Sequence, residues 1–368
     1  PASQSCATVR AVYMVSLVAA CGLLLQPTAR RPSPLRRFLS PVLEAPAPLA
    51  SLLDLADEYD AFLLDQFGVI HDGKTAYEGA VDAVCELQRR GKKIVIISNS
   101  SRRKSDTLAR LRSMGFGPCE GDGASDVPPI SVVTSGDLVW EGLSAAAAAP
   151  FADLGLRCTV FGNGEDDEEY VRTCGRVAVP VAEADFVLAR GLFTILGTGP
   201  DLLRQPFSPY SADAEEEALR AALAARPGGL PLVVANPDTV RPDGKDSPMP
   251  GLLAARYEAM GATDIRPVGK PHPLIYEACR AQLAIAGIDA AGARVAAVGD
   301  SLHHDVLGAS QNGVDSVFIC GGVHYRELEV PQAAAVPPAA DKLAALLATF
   351  ASEHGGCTPT HALAGFRL

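Results

Sequence analysis

Ala61-Phe62-Leu63-Leu64-Asp65 is a continuous apolar run closed by an acid. A strand with one face in water alternates polar and apolar residues, so an unbroken run of this length predicts a strand buried on both faces. Working outward, Leu52 to Tyr59 reads as a short helix before it. Glu78 to Arg90 has helical periodicity, and Gly91 stands at its C-cap. Lys93-Ile-Val-Ile-Ile-Ser98 is a second buried strand. Ser101 to Met114 is a second helix, closed by Gly115, and Pro129 to Thr134 is a third strand with a helix after it to about Ala149. Strands alternating with helices predict right-handed β-α-β units and a parallel sheet.

The middle of the chain is less regular. Cys158 to Gly162, Phe186 to Ala189 and Leu232 to Asn236 read as strands, and Ala214 to Arg226 as a helix. The acidic run Glu165 to Glu169 reads as a solvated loop or helix start, and Ala145 to Ala149 as helix. Alternation resumes with a helix over Ala278 to Ala286, a strand over Arg294 to Asp300, a strand over Ser316 to Cys320 and a helix over Asp341 to Ala351. The fold expected is α/β: a Rossmann-like parallel-sheet core over 51–150 and 263–352, with a smaller α/β cap inserted at 151–262. The tail 353–368, with Gly355, Gly356 and Pro359, is expected to be loosely held.

Composition narrows the function. Hydrophobic residues make up 48 % of the 368 and charged residues 20 %, which is enough apolar surface for a sizeable core. The net charge of −11 argues against a general nucleic-acid surface, which needs clustered Lys and Arg. The nine Cys contain no C-x-x-C pair, which argues against structural zinc and for mostly buried free thiols in a reducing compartment. Residues 1–43 hold no Asp or Glu but carry Arg10, Arg30, Arg31, Arg36 and Arg37. Residues 1–50 therefore read as a leader and linker of the transit-peptide kind, pointing to an organelle (chloroplast or mitochondrion), with the cytoplasm as the alternative. The apolar stretch Ala11 to Leu25 is too short for a stable membrane span.

Ligands of open α/β sheets bind beyond the carboxyl ends of the strands. Three predicted strands end there in polar groups: Asp65, Ser98-Asn99-Ser100-Ser101 and Gly299-Asp300-Ser301. Two carboxylates from different strands can share one Mg2+, which prefers hard oxygen ligands. A hydroxyl and the N–H groups of a helix start can hold a phosphate, and Gly269-Lys270-Pro271 supplies a fixed positive charge.

In these motifs the chain resembles the haloacid dehalogenase-like hydrolases: Asp65-Gln-Phe-Gly-Val69, Ser98, Lys270 and Gly299-Asp-Ser-Leu-His-His-Asp305. The long insert, with Asn236-Pro-Asp238 and Pro250-Gly251, resembles the large cap of the class IIA branch. The resemblance implies a Mg2+-dependent phosphatase or phosphotransferase acting on a small phosphorylated metabolite. Asp65 would be the nucleophile that forms an aspartyl-phosphate, with Lys270 neutralising charge. Ser98 and Asn99 would hold phosphoryl oxygens. Mg2+ would be held by Asp65, the backbone carbonyl of Phe67, Asp300 and Asp305. The turn with Asn236 and Asp238 reads first as cap architecture and second as a substrate contact, and Arg190, Arg241 and Lys245 read either as solvated cap surface or as contacts to an anionic substrate.

One position departs from the family. Its phosphatases carry a second Asp two residues after the nucleophile, which protonates the leaving oxygen; here Phe67 stands there. General acid–base catalysis is worth about 10²–10⁴-fold, so low activity is expected unless His71, Asp72, His303 or His304 substitutes. Phe67-Gly-Val-Ile-His-Asp-Gly73 is similar to a class IIA branch with an aromatic residue at this point. The alternative function is a catalytically weakened relative with a binding or structural role in an organelle assembly. The resemblance leaves room for a homodimer through the cap, although nothing in the sequence demands one.

Overall fold

The run that ends in Asp65 forms β1 (Ala61–Leu64), and all four of its residues are buried. The computed structural model describes residues 46, 48–49, 51–117, 130–145, 148–164, 166–196, 212–239, 248–289 and 292–368. The expectations placed on residues 1–45, Pro129, Glu165, Arg241 and Lys245 lie outside these.

Around β1 the chain alternates as its pattern predicts. α1 (Leu53–Ala56) precedes it, and α2 (Ala80–Arg89), β2 (Lys93–Ser98), α3 (Lys104–Ser113), β3 (Ser131–Thr134) and α4 (Ser135–Ala145) follow. The inserted part holds β4 (Arg157–Gly162), α5 (Asp167–Thr173), β5 (Val177–Ala178), β6 (Phe186–Ala189), β7 (Thr194–Leu196), α6 (Ala212–Ala224), β8 (Leu232–Val234), α7 (Pro250–Ala259) and β9 (Ile265–Pro267). The core resumes with α8 (Pro273–Ile285), β10 (Val295–Gly299), a π-helical turn over Leu302–Val306, α9 (Leu307–Gln311), β11 (Asp315–Ile319), α10 (Ala340–Glu353) and β12 (His361–Leu363).

Among the described residues these strands make two six-stranded sheets within one compact unit. The core sheet has the order β12-β11-β10-β1-β2-β3, every pair parallel. The cap sheet runs β5-β4-β6-β8-β9 in parallel, and β7 pairs antiparallel with β4. This is the expected Rossmann-like core with a second, inserted α/β sheet.

The continuity of the apolar run has a simple cause. Side chains alternate across a strand, so Phe62 and Leu64 pack on one face with Ile94, Ile96 and Val298, while Ala61 and Leu63 pack on the other with Val95, Ile97 and Ala297. Leu87 of α2 and Leu111 of α3 cover the first face; Ile275, Tyr276 and Leu283 of α8 cover the second. Burying each large side chain contributes about 1.5–3 kcal/mol, which pins β1 between β2 and β10. The strand order reverses at β1, and such a reversal opens a crevice at the carboxyl ends.

Three expectations need correction. The tail is not loose: after Gly355 and Gly356 it returns as β12, pairs in parallel with β11, and His361 Nε2 lies 3.0 Å from the Tyr59 hydroxyl, which donates to Asp315 Oδ2. Its three residues, His361-Ala-Leu363, begin with a polar residue and show no continuous apolar run. The boundary at 263 divides the sheets wrongly, because β9 pairs with β8 and belongs to the cap sheet. Cys85 is disulfide-bonded, whereas Cys158, Cys174, Cys279, Cys320 and Cys357 are free thiols. Among the described residues no helix is long and apolar enough to cross a membrane.

Candidate active site

The pairings that build the sheet also gather the polar residues. Leu64 lies opposite Ile96 and Val298 on the flanking strands, so Asp65, Ser98 and Asp300 emerge together at one sheet edge. Side-chain oxygens of Asp65, Asp300 and Asp305 all come within 4.8 Å of one another, and all three residues are buried. Lys270 Nζ sits 2.9 Å from Asp65 Oδ1 and 2.7 Å from Asp305 Oδ1.

Glycines make the close packing of this cluster possible. A Cβ on Gly299 would stand 2.0 Å from Asp305 Cγ, and one on Gly322 would stand 2.2 Å from Asp300 Oδ2. Asp305 Oδ2 accepts from Ser301 N at 3.0 Å, and Asp300 Oδ2 accepts from Val323 N at 2.8 Å. Asp305 is therefore more than a helix cap: it returns across Gly299 to meet Lys270.

Three buried carboxylates face one ammonium. Burial, with the charges of Asp305 and Asp238, raises the Asp65 carboxyl to about 7 although Lys270 pulls it down. Burial, Asp65 and Asp305 push Asp300 well above the carboxylate range. Burial opposes the Lys270 ammonium, but Asp305 and Asp65 outweigh it and hold its pKa well above the usual value. A set of hard oxygen donors short of positive charge is what a divalent cation such as Mg2+ complements, so the residues present fit the metal. Phe67, whose carbonyl is the further expected ligand, lines the same cavity.

Ser98 is buried, and its Oγ accepts from Gln66 Nε2 at 2.6 Å and from Ser100 N at 3.1 Å. Gln66 Oε1 in turn lies 3.2 Å from His71 Nε2, and His71 Nδ1 accepts from Gly73 N at 2.9 Å. Gln66 carried no signal in the sequence beyond its place beside Asp65. Asn99 departs from its expected role: its side chain is engaged with Lys270 and Asp238, by contacts of 2.6, 3.2 and 2.8 Å, which leaves a phosphoryl oxygen only its main chain.

The four substitute acid–base candidates all line the cavity. His71 has both ring nitrogens engaged; burial and the nearby Arg110 lower its pKa to about 4, so it is neutral. Asp72 caps a turn, with Oδ1 accepting from Lys74 N and Thr75 N at 2.7 Å each, and these bonds lower its pKa. His303 turns toward α10, its Nδ1 3.2 Å from His354 Nε2 and its ring edge-on to Phe350. His304 reaches the cap, with Nδ1 3.2 Å from Asp238 Oδ1 and 3.3 Å from Ser301 Oγ. Phe67 lies edge-on to His71, and its Cε2 edge abuts Gly73.

On the cap side, Asn236 Oδ1 accepts from Asp238 N at 3.0 Å. The expectation that Arg190 reads substrate is overturned. Its buried guanidinium pairs with Asp167 and, at 2.8 Å, with Asp166, stacks on Tyr170 at 3.6 Å and donates to Ser101 O at 3.3 Å. It is the keystone of a cap–core joint that Asn163 extends by donating to Ser101 Oγ at 3.0 Å. Asp167 in the acidic run is thus buried, not solvated. The cavity between the two sheets is about 980 Å³.

A parallel sheet tipped by carboxylates and a lysine, with a second, inserted α/β sheet over that edge, defines a capped α/β protein. A family model described as haloacid dehalogenase-like hydrolase matches residues 62–176, and a second, HAD-hydrolase-like, matches residues 267–346. Human chronophin is 29 % identical over 283 residues, covering 76 % of this chain and 86 % of that protein. D-glycerol 3-phosphate phosphatase of Mycobacterium tuberculosis is 29 % identical over 273 residues, 73 % of this chain and 65 % of that protein. The crystal structure of a haloacid dehalogenase-like hydrolase from Brucella suis superposes with a TM-score of 0.62 at 26 % identity, covering 86 % of this chain and 99 % of the other. The chain belongs to the haloacid dehalogenase-like hydrolases, and its insert is of the class IIA kind.

Proposed function

We propose that the protein is a Mg2+-dependent phosphatase or phosphotransferase for a small organic phosphate, with Asp65 as nucleophile. The observation that carries this reading is the Lys270 ammonium held between Asp65 and Asp305, beside a hydroxyl at Ser98. An Asp65 oxygen attacks phosphorus, the bond from phosphorus to the substrate oxygen breaks, and the leaving oxygen takes a proton. Water then cleaves the aspartyl-phosphate, giving inorganic phosphate and restoring Asp65. Lys270 neutralises charge on the nucleophile and in the transition state. Asp65, Asp300, Asp305 and the Phe67 carbonyl would hold Mg2+, which supplies charge neutralisation on the phosphoryl oxygens when bound. The glycerol-phosphate activity in the name of the mycobacterial relative supports a small substrate of this kind.

Phe67 sets the preference among substrates. Its phenyl ring carries no proton, so esters whose leaving oxygen needs no acid, such as aryl phosphates, react fastest. The test is turnover of an aryl phosphate with Mg2+ beside an Asp65→Asn control. Turnover that survives Asp65→Asn sinks Asp65 as the nucleophile, and none across a broad phosphate panel sinks the enzyme reading and leaves a binding or structural role.

A further inference from the structure

Asn236-Pro237-Asp238 follows β8 at the edge of the cap that faces the core. Asp238 is fixed there by its main chain: its N–H donates to Asn236 Oδ1, and its carbonyl accepts from Gly251 N at 2.9 Å. The close approach of α7 depends on Gly251, where a Cβ would stand 2.1 Å from Pro237 O. The carboxylate crosses to the core. Its Oδ1 accepts from Asn99 Nδ2 at 2.8 Å and lies 3.2 Å from His304 Nδ1.

Asn99 is buried and its amide grips one residue from both sides. Oδ1 accepts from Lys270 N at 2.6 Å, and Nδ2 donates to Lys270 O at 3.2 Å as well as to Asp238. The neighbouring Gly269 is shaped to this contact, since a Cβ there would stand 2.5 Å from Asn99 Oδ1. Lys270 Nζ then reaches Asp65 and Asp305. A cap residue is thereby linked, through one amide, to the backbone that aims the Lys270 ammonium among the carboxylates.

From this chain of contacts we infer that Asp238 is a positioning residue: through Asn99 it fixes the Lys270 backbone, and so places the ammonium between Asp65 and Asp305. The inference rests on the reading of Asp65 as nucleophile. A lysine stem is flexible, so its head is placed only as well as its backbone is. Removing Asp238 leaves one Asn99 N–H unpaired in a buried position and frees the amide to rotate away from Lys270. A shift of about 1 Å in a charged group at the reacting centre costs on the order of 10²-fold in rate. The role also makes activity depend on how the cap is seated, although the cap supplies no atom to the phosphoryl group through this residue.

The experiment measures Mg2+-dependent aryl phosphate turnover for wild type, Asp238→Ala, Asp238→Asn, Asn99→Ala and Asn99→Ala/Asp238→Ala. Asp238→Ala is expected to lower kcat about 10- to 100-fold with KM changed little. Asp238→Asn, which keeps an acceptor for Asn99, retains most of kcat. In the Asn99→Ala background the second substitution has little further effect, because both act through one contact. A raised KM with kcat intact would make Asp238 a substrate contact and overturn the inference. So would full additivity with Asn99→Ala, or a lowered melting temperature with kcat unchanged. An inactive wild type counts against the function proposed above, and the placement of Lys270 is then read without activity. Lys270, buried in the wild type, is expected to react several-fold faster in reductive methylation of Asp238→Ala; equal protection overturns the inference.

Discussion

The Cε2 edge of the Phe67 ring points so closely at Gly73 that a Cβ added there would stand 2.3 Å from Cε2. The residue that replaces the usual proton carrier is thus held by a backbone position without a side chain. Gly73 also has φ +90°, a region that costs other residues energy. Gly73→Ala is expected to lower stability by about 1–3 kcal/mol, read by urea unfolding, and to displace Phe67 from its contact with His71.

Phe67→Asp restores a carboxyl two residues after the nucleophile. Hydrolysis of alkyl phosphates is expected to rise about 10-fold or more, within the range typical of general acid catalysis, while aryl phosphate turnover changes little. Equal effects on both substrate types would mean that the leaving group's need for a proton is met elsewhere.

His71 supplies a pH dependence. Its folded pKa of about 4 lies below the ordinary 6.5, so between these values the unfolded chain binds the proton and the folded chain does not. Stability from this residue is complete above about pH 6.5 and is lost as pH falls toward 4, by roughly 3 kcal/mol in all. Chemical denaturation of the wild type beside His71→Asn, which cannot titrate, is expected to show the extra loss only in the wild type.

Arg190 tests the cap–core joint. Arg190→Met keeps the bulk but leaves the buried Asp167 without its cation, and a loss of about 3–5 kcal/mol is expected. Adding Asp167→Asn should recover part of it, because the uncompensated charge is then gone. The measurement is unfolding free energy for the two single variants and the double.

The centre of the core sheet was legible because it is local. Ala61 to Leu64 and Lys93 to Ser98 show burial on both faces in a few adjacent residues, and Asp65 and Ser98 are the first polar residues at or just past their ends. Four short strands were not: β5, β7, β9 and β12 have two or three residues each, and none stands in an unbroken apolar run as long as Ala61 to Leu64. Arg190 was misread for another reason. A cation's partner is a property of the folded cap, and Asp166 and Asp167 lie more than 20 residues upstream of it. The bond from Asn99 to Asp238 spans 139 residues and exists only once the cap is seated. His272 shows the opposite case: following Lys270-Pro271 it reads as a helix-start residue, and its Nδ1 accepts from Leu274 N at 3.3 Å.

The line from Gly73 to Ser98 has a direction. The Gly73 N–H can only donate, so it compels His71 Nδ1 to accept and puts the neutral ring's hydrogen on Nε2. That hydrogen claims Gln66 Oε1, which turns the amide's NH2 toward Ser98 and fills an Oγ lone pair; Ser100 N fills the other. Ser98 keeps one free valence, its own hydrogen, and no acceptor capacity. The hydroxyl behaves as a diode for hydrogen bonds: it greets an oxyanion and turns away an ammonium or a neutral donor. The buried main-chain amide of Gly73 thereby sets which kind of group the Ser98 hydroxyl can still bond.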